Sequence, residues 1–243
     1  DQPSVTRITD SALTLTVNFK IIERNDDADS ITLETYSGFP VYAVEPNEGQ
    51  ANNFQYERKL EEFDNQTGFA LIGDTAGRAF RKQTFSWSVN GRSAYAQLKA
   101  LLYRLRGKQK ALWLPSFNQD FEVTANVATG QQILTVRDIG FTESGGAGVE
   151  AKHICIFMTD GSRLYRQIVS SSQSSNNTEI LFLNQAFATA ISKDAILRVS
   201  FMRLSRLDQD RIEISHKTDT MGVSDCAVSF RAAPNIRQEL AGF

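Results

Sequence analysis

The stretch NGRSAYAQLKALLYRLRGKQKALWLPSFNQD, residues 90–120, predicts a helix, a sharp stop and a buried strand in direct succession. Its leucines recur every three or four residues, as on one apolar helical face: Leu98, Leu101, Leu102 and Leu105. Ser93 can cap the first turn through its hydroxyl, and Gly107 can take the left-handed conformation that ends many helices. We therefore predict one helix over residues 93–106.

Basic residues crowd the end of this helix, where cations offset the negative pole of the backbone dipole: Arg104, Arg106, Lys108 and Lys110. The next four residues, 111–114, are apolar, and Pro115 then removes a backbone donor and stops strand pairing. They predict a short buried strand. No other part of the chain has so strong a helical pattern, and much of the remainder alternates as strands do.

The composition bounds the class of protein. A chain of 243 residues can fold as one large or two ordinary domains, and 41% hydrophobic with 22% charged residues is typical of a soluble globular protein. A net charge of −2 argues against nucleic-acid binding through a broad basic surface, and no apolar run is long enough to insert into a membrane. Cys155 and Cys226 lie in apolar runs and are predicted to be free buried thiols.

The first third of the chain predicts strands and one irregular segment. Alternation over residues 11–22 and 31–36 predicts a hairpin, residues 79–89 predict a further strand, and residues 54–63 are ambiguous between helix and strand. Residues 37–53 are rich in Gly and Pro and have little periodicity. We expect them to form an extended surface arm, packed on a neighbouring subunit rather than on its own domain.

The second half predicts a separate small β-domain. Asp160-Gly161 is the sharpest hairpin signal, and six short apolar runs surround it: 121–127, 132–136, 153–158, 164–169, 179–183 and 196–201. We predict a small β-barrel or sandwich over residues 119–198, inserted into a β-sandwich made of residues 1–118 and 199–243. Strands near 211–215 and 223–230 would complete the first sheet. A simple tandem of two domains is the alternative.

Candidate catalytic and metal-binding residues are few. His153 and Cys155 share one strand face, but no second ligand pair accompanies them, so a structural histidine is favoured over a zinc site. Asp208, Asp210 and Glu213 cluster among arginines, which favours a salt-bridged turn over a cation site. The sequence has no nucleophile elbow, phosphate loop or dinucleotide fingerprint. It predicts no enzyme, no catalytic residue, no metal and no cofactor.

Five short motifs, in their order along the chain, resemble proteins encoded in the tail modules of long-tailed bacteriophages and prophages. They are Gly38-Phe39-Pro40, Asp64-x-x-Thr67-Gly68, Leu105-Arg106-Gly107, Trp113-Leu114-Pro115 and the segment RLDQDRIEI at 206–214. The resemblance implies a tail-tip or baseplate protein similar to distal tail proteins, which form a ring between the tail tube and the tip hub. In such proteins a tube-like β-sandwich with one flanking α-helix builds the ring, and a second β-domain projects outward.

These observations lead to one functional prediction and one alternative. We predict a virion structural protein that forms a homo-oligomeric ring, with six-fold symmetry as one option, contacts other tail proteins and assembles in the host cytoplasm. Its predicted partner-binding residues are Phe39, Pro40, Tyr42, Pro46, Asn47, Arg104 and Arg106. The alternative is a carbohydrate-binding module for host attachment on the second β-domain. Tyr165 would be its aromatic contact, because Phe121, Phe157, Phe182 and Phe201 fall on inward positions.

Overall fold

A computed structural model describes residues 4–9, 12–16, 31–47, 53–64, 70–146, 152–174, 177–217 and 222–233. Within these residues the protein is mainly β and contains one α-helix, as the sequence predicts. Its elements in chain order are β1 (Ser4–Thr9), β2 (Ala12–Thr16), β3 (Thr35–Tyr36), β4 (Phe39–Pro40), β5 (Asn53–Asp64), β6 (Ala70–Val89), α1 (Arg92–Leu105), β7 (Ala111–Pro115), β8 (Ile133–Arg137), β9 (His153–Met158), β10 (Arg163–Ser174), β11 (Thr178–Leu183), β12 (Ile196–Leu207), β13 (Ile214–His216) and β14 (Ser224–Ala232).

Ten of the strands form one antiparallel sheet in the order β5-β6-β14-β12-β9-β10-β11-β8, with β13 beside β14 and β7 beside β12. The strands do not close into a barrel by continuous ladders. Single bridges instead connect Phe121 to Val199 and Val123 to Val136. The large antiparallel sheet agrees with the predicted β-sandwich class, and the predicted late strands extend the sheet beside β6.

The helix differs from its prediction at both ends. It begins at Arg92 after Gly91, whose φ of 87° turns the chain into the helix without a side-chain cap, so the predicted capping role of Ser93 is wrong. Arg106 is already left-handed with φ of 50°, and Gly107 follows with φ of 63°. The predicted stop is therefore confirmed, but two successive left-handed residues make it.

One hydrophobic cluster packs α1 against the sheet. Leu98, Leu101 and Leu105 are buried, whereas Leu102 lies half-buried at the margin. Every residue of β7 is buried, which confirms the predicted strand after the helix. The other large side chains in this cluster are Phe39, Tyr42, Phe85, Trp87, Trp113, Phe117, Phe157 and Phe230.

The second hydrophobic cluster contains only residues between Phe121 and Val199. The long strand β12 crosses from one cluster to the other, because Val199 lies in the second and Met202 in the first. At this crossing the Asp120 carboxylate accepts a hydrogen bond from the backbone N–H of Phe201 at 2.7 Å. The domain boundaries at 118/119 and 198/199 stay a prediction.

Some strand pairings differ from the sequence prediction. Strand β2 pairs with β1, and the two-residue β3 pairs with β4, so the predicted hairpin between 11–22 and 31–36 is wrong for the described residues. Residues 53–64, which the sequence left ambiguous, are a strand. The sequence also predicts turns at 25–30, 64–68 and 219–222, and most of these residues lie outside the described part of the chain. No helix in the described ranges is long and apolar enough to cross a membrane.

Candidate functional site

The most exposed element is the hairpin of β5 and β6. Strand β14 pairs with β6 only from Lys82 to Val89, whereas β5 pairs with β6 from Ala70 to Thr84. In the described part of the chain, residues 70–81 of β6 and the part of β5 opposite them therefore pair only with each other. All twelve residues of β5 are exposed. The hairpin projects from the sheet as a two-stranded arm.

Large apolar side chains cover this arm. Twelve large hydrophobic residues are exposed among the described residues, and half of them lie on the hairpin, where they are 54–73% exposed: Phe54, Tyr56, Leu60, Phe63, Leu71 and Ile72. An isolated two-stranded hairpin is only marginally stable in water. Exposed apolar surface on such an arm marks it as an interaction site.

We define the hairpin tip as residues 60–64 and 70–74. Its strand register places Leu60 and Ile72 on one face, together with Glu62, Asp64 and Asp74. Phe63 and Leu71 lie on the other face with Glu61, so each face of the tip carries apolar side chains beside acidic ones. The tip sequence contains four acidic residues and no basic one: Glu61, Glu62, Asp64 and Asp74. Arg58 and Lys59, next to the tip, make exposed ion pairs with Asp74 (3.3 Å) and Glu61 (3.7 Å).

The base of the hairpin is fixed to the sheet. The Arg231 guanidinium lies 4.6 Å from the centre of the Phe80 ring and pairs with the Glu57 carboxylate at 3.7 Å. Arg81 lies 4.7 Å from the centre of the Phe54 ring on the other face. These contacts hold the arm where it leaves the sheet, so that the tip is presented to solvent at a defined position.

A second surface lies along α1 and its C-terminal end, and we call it the basic helix face: the exposed Tyr103 and Arg106 and the half-buried Lys99. These residues are spaced i, i+4 and i+7, and the Lys99 ammonium lies 5.3 Å from the centre of the Tyr103 ring. Residues 92–110 contain six basic residues and no acidic one. Asp210 is a nearby carboxylate, and it accepts a hydrogen bond from the backbone N–H of Lys108 at 2.9 Å.

The predicted arm is largely part of the protein's own core. Phe39, Tyr42 and Pro46 are buried, and the Tyr42 backbone N–H donates to the Trp113 carbonyl at 3.0 Å. Strand β7 pairs with β12 on one edge. The segment with Val41 and Tyr42 covers its other edge at Trp113. The expectation that the arm avoids its own domain is therefore wrong for residues 37–47. Residues 48–52 lie outside the described part.

The other predicted partner-binding residues are distributed over the surface. Pro40 and Asn47 are half-buried, and the Asn47 side chain donates to Ser88 Oγ at 3.0 Å. Arg104 turns back to the Ile31 carbonyl, which it binds at 2.8 Å. Arg106 is exposed. The structure thus brings Phe39 and Tyr42 together in the core and leaves Arg106 at the helix end available for a partner.

His153 fastens the segment around Tyr36 to β9, and Cys155 is buried in the first hydrophobic cluster. The Tyr36 hydroxyl lies 3.0 Å from His153 Nδ1, and the His153 ring centre lies 4.4 Å from that of Trp113. Burial lowers the pKa of His153 to about 4 and raises the pKa of the Cys155 thiol to about 12. The two side chains are therefore uncharged at neutral pH. No group of three metal-ligating side chains occurs among the described residues.

The remaining chemical candidates are engaged in separate contacts. Asp208 pairs with Lys82, and Glu213 pairs with Arg211 at 3.2 Å. The Tyr165 hydroxyl donates to Glu34, which ties β10 to the same segment as Tyr36. Phe182, predicted to point inward, is 39% exposed, because Leu181 and Leu183 take the inward positions of β11 and Phe182 falls on the opposite face.

One Ser–His pair was not predicted from the sequence. His216 Nδ1 lies 2.7 Å from Ser224 Oγ, because strand pairing places the two residues opposite each other. Ser224 is 1% exposed, so its hydroxyl cannot meet a substrate. A polar cleft of about 550 Å³ lies beside it, where Lys217 pairs with Asp225 and the Ser88 hydroxyl donates to Asp225 at 2.7 Å. These contacts give the cleft no nucleophile with an adjacent free base.

No known protein-family model matches the chain, and a search of curated proteins finds no match either. The function is therefore inferred from the surface of the molecule. Sequence analysis missed the hairpin tip, although a signal was present. Apolar residues at 60, 63, 71 and 72 lie among acidic residues, on either side of the Gly-containing stretch 65–69.

Proposed function

We propose that this protein is a structural component of a bacteriophage tail tip or baseplate. It forms a homo-oligomeric ring that joins the tail tube to the tip hub. The observation that carries the proposal is the projecting hairpin, whose apolar side chains are 54–73% exposed. Subunits repeated around a ring supply a partner for such an arm, because each copy can cover a surface of its neighbour.

The positions of the motifs behind the resemblance support the same proposal. Gly38-Phe39-Pro40 leads into β4 and Trp113-Leu114-Pro115 ends β7, and the two segments meet at the parallel bridge between Val41 and Trp113. Leu105-Arg106-Gly107 ends the helix that packs on the same cluster. Three of the five motifs, far apart in the sequence, thus contribute to one scaffold around the first hydrophobic cluster.

The interior of the molecule suits a rigid scaffold. Two hydrophobic clusters are joined by one continuous strand, β12, and the segment near Tyr36 is fixed by hydrogen bonds and ring contacts to β9 and β10. Buried His153 and Cys155 are uncharged at neutral pH and take part in packing. A ring subunit needs this stiffness, because its contacts on both sides must stay in register.

The test is to locate the protein in phage particles. Particles from the host that encodes the chain would be labelled with gold-coupled antibodies against the purified protein and viewed by electron microscopy. We expect gold at the distal end of the tail, and antibodies against a capsid protein serve as the control. Label on cells or in the medium, with none on tails, would contradict the proposed function.

A further inference from the structure

We propose that the hairpin tip docks on the basic helix face of a second copy of this chain. This inference rests on the proposed function, and it names the contact that joins one subunit of the ring to the next. The tip comprises residues 60–64 and 70–74, and the basic helix face comprises Lys99, Tyr103 and Arg106.

The two faces of the tip indicate what kind of partner it needs. Leu60 and Ile72 on one face and Phe63 and Leu71 on the other are each more than half exposed. A hairpin that lay flat on a surface would require only one apolar face. The face with Phe63 and Leu71 has only one carboxylate, Glu61, and is the face that we expect to leave water on the partner.

Charge selects the surface of the partner. The tip has four acidic residues and no basic one, whereas residues 92–110 have six basic residues and no acidic one. Contact between two tips, or between two helix faces, would bring like charges together. Contact of a tip with a helix face pairs opposite charges, even though Asp210 offsets part of the positive charge near Lys108. A second copy of the chain therefore offers the complementary surface.

The helix face also offers an apolar centre. Tyr103 is 38% exposed, Lys99 lies one turn before it, and Arg106 follows directly after the last helical residue. Tyrosine and arginine are the residue types that most often dominate binding at protein interfaces. Phe63 of the tip can pack on the Tyr103 ring while Glu61, on the same face of the tip, meets a flanking cation.

The tip cannot reach the helix face of its own chain. From Ile72 to Val89 the strand β6 runs for 17 residues, but between Asp74 and Ala79 it advances five residues against two of β5. Without those three extra residues it spans roughly 46 Å at about 3.3 Å per residue. Helix α1 has 14 residues and extends about 21 Å at 1.5 Å per residue. Even if the helix ran straight back along the strand, its far end would stay tens of ångströms from the tip. The contact must therefore be between different molecules.

This contact uses different surfaces on the two partners. Each copy donates a tip and receives a tip, which is a head-to-tail arrangement. Such contacts close into a ring when the rotation between neighbours divides a full turn, and they extend into a filament when it does not. The proposal thus explains how one short arm can link any number of identical subunits.

Paired charge reversals in the full chain test the proposal. The tip variant is Glu61→Lys/Glu62→Lys, and the helix variant is Lys99→Glu/Arg106→Glu. A control, Glu143→Lys/Asp194→Lys, changes net charge as the tip variant does, at exposed positions elsewhere. Sedimentation equilibrium gives the self-association constant of each, and tryptophan fluorescence verifies folding. We expect each reversal alone to weaken association at least tenfold, and the control to leave it unchanged.

Mixing the two variants gives the decisive result. In the tip variant both surfaces are basic, so two copies of it repel each other. In the helix variant both surfaces are acidic. In a mixture, the lysine tip of the first attracts the glutamates on the helix of the second, and the acidic tip of the second attracts the basic helix face of the first. We therefore expect an equimolar mixture to recover association through alternating copies. A second tip variant, Leu71→Ser/Ile72→Ser, should weaken association without changing charge.

The outcomes separate this inference from the proposed function. If the wild type is oligomeric and the tip variant associates as tightly as the control, the inference alone is overturned. The hairpin would then bind a different partner. A mixture no tighter than either variant would overturn it in the same way. A wild type that stays monomeric at every concentration would overturn the ring itself.

Discussion

Two adjacent leucines on α1 give a matched test of how the helix is packed. Leu101 is 1% exposed in the first hydrophobic cluster, whereas Leu102 is half-buried at its edge. Replacing leucine with alanine removes three carbon groups, worth about 2.4 kcal/mol at about 0.8 kcal/mol each when fully buried. The cavity left at a closed site adds to this loss, within a typical range of about 2–5 kcal/mol. We expect Leu101→Ala to cost about 3–4 kcal/mol.

At Leu102 the same change should cost about 1 kcal/mol, because only part of the side chain leaves water and neighbours or solvent can fill the space. The assay is urea denaturation followed by tryptophan fluorescence. Both tryptophans of the chain, Trp87 and Trp113, are buried in the cluster that the helix covers. Equal losses for the two variants, or a loss below about 1 kcal/mol for Leu101→Ala, would refute this account of the packing.

Three further predictions concern single residues. Gly107→Ala should destabilise the protein more than Gly161→Ala in urea denaturation. Both glycines have positive φ, but only at Gly107 would the new Cβ clash with a carboxylate oxygen of Asp210. Equal losses would contradict the clash. His153 has a pKa of about 4 in the fold against 6.5 unfolded, so between these values the unfolded chain binds more protons and stability should fall as pH falls. His153→Gln should make the free energy of unfolding depend less on pH between about 4 and 6.5. An unchanged pH dependence would contradict the role of His153. A glycan array should show no binding by the full chain, because the Tyr165 hydroxyl is occupied by Glu34; a reproducible hit that Tyr165→Ala removes would favour the carbohydrate-binding alternative.

Local signals in the sequence predicted the features that depend on local chemistry. The leucine spacing located α1 to within one residue at each end, and the ALWLP run identified a strand that is buried throughout. The helix stop followed from Gly107, which can adopt positive φ without strain. The predicted cap at Ser93 was wrong because Gly91 already turns the chain into the helix, and no side-chain cap forms.

Features that depend on distant pairing could not be predicted from the sequence. The arm looked irregular because Gly and Pro interrupt its pattern, yet Val41 and Tyr42 meet Trp113 about 70 residues away. The tip is a second case, because alternation alone cannot distinguish a strand in a sheet from one that projects beyond it. Only the register of β14 on β6 shows where the sheet ends and the arm begins.

The mass of the full-length protein in solution tests the central claim most directly. Native mass spectrometry, with negative-stain micrographs of the same sample, would measure how many 27.1 kDa chains each particle contains and what shape it has. The account predicts one dominant multiple of the chain mass and annular particles. A single 27.1 kDa species at every concentration, with no annular particles, would contradict it.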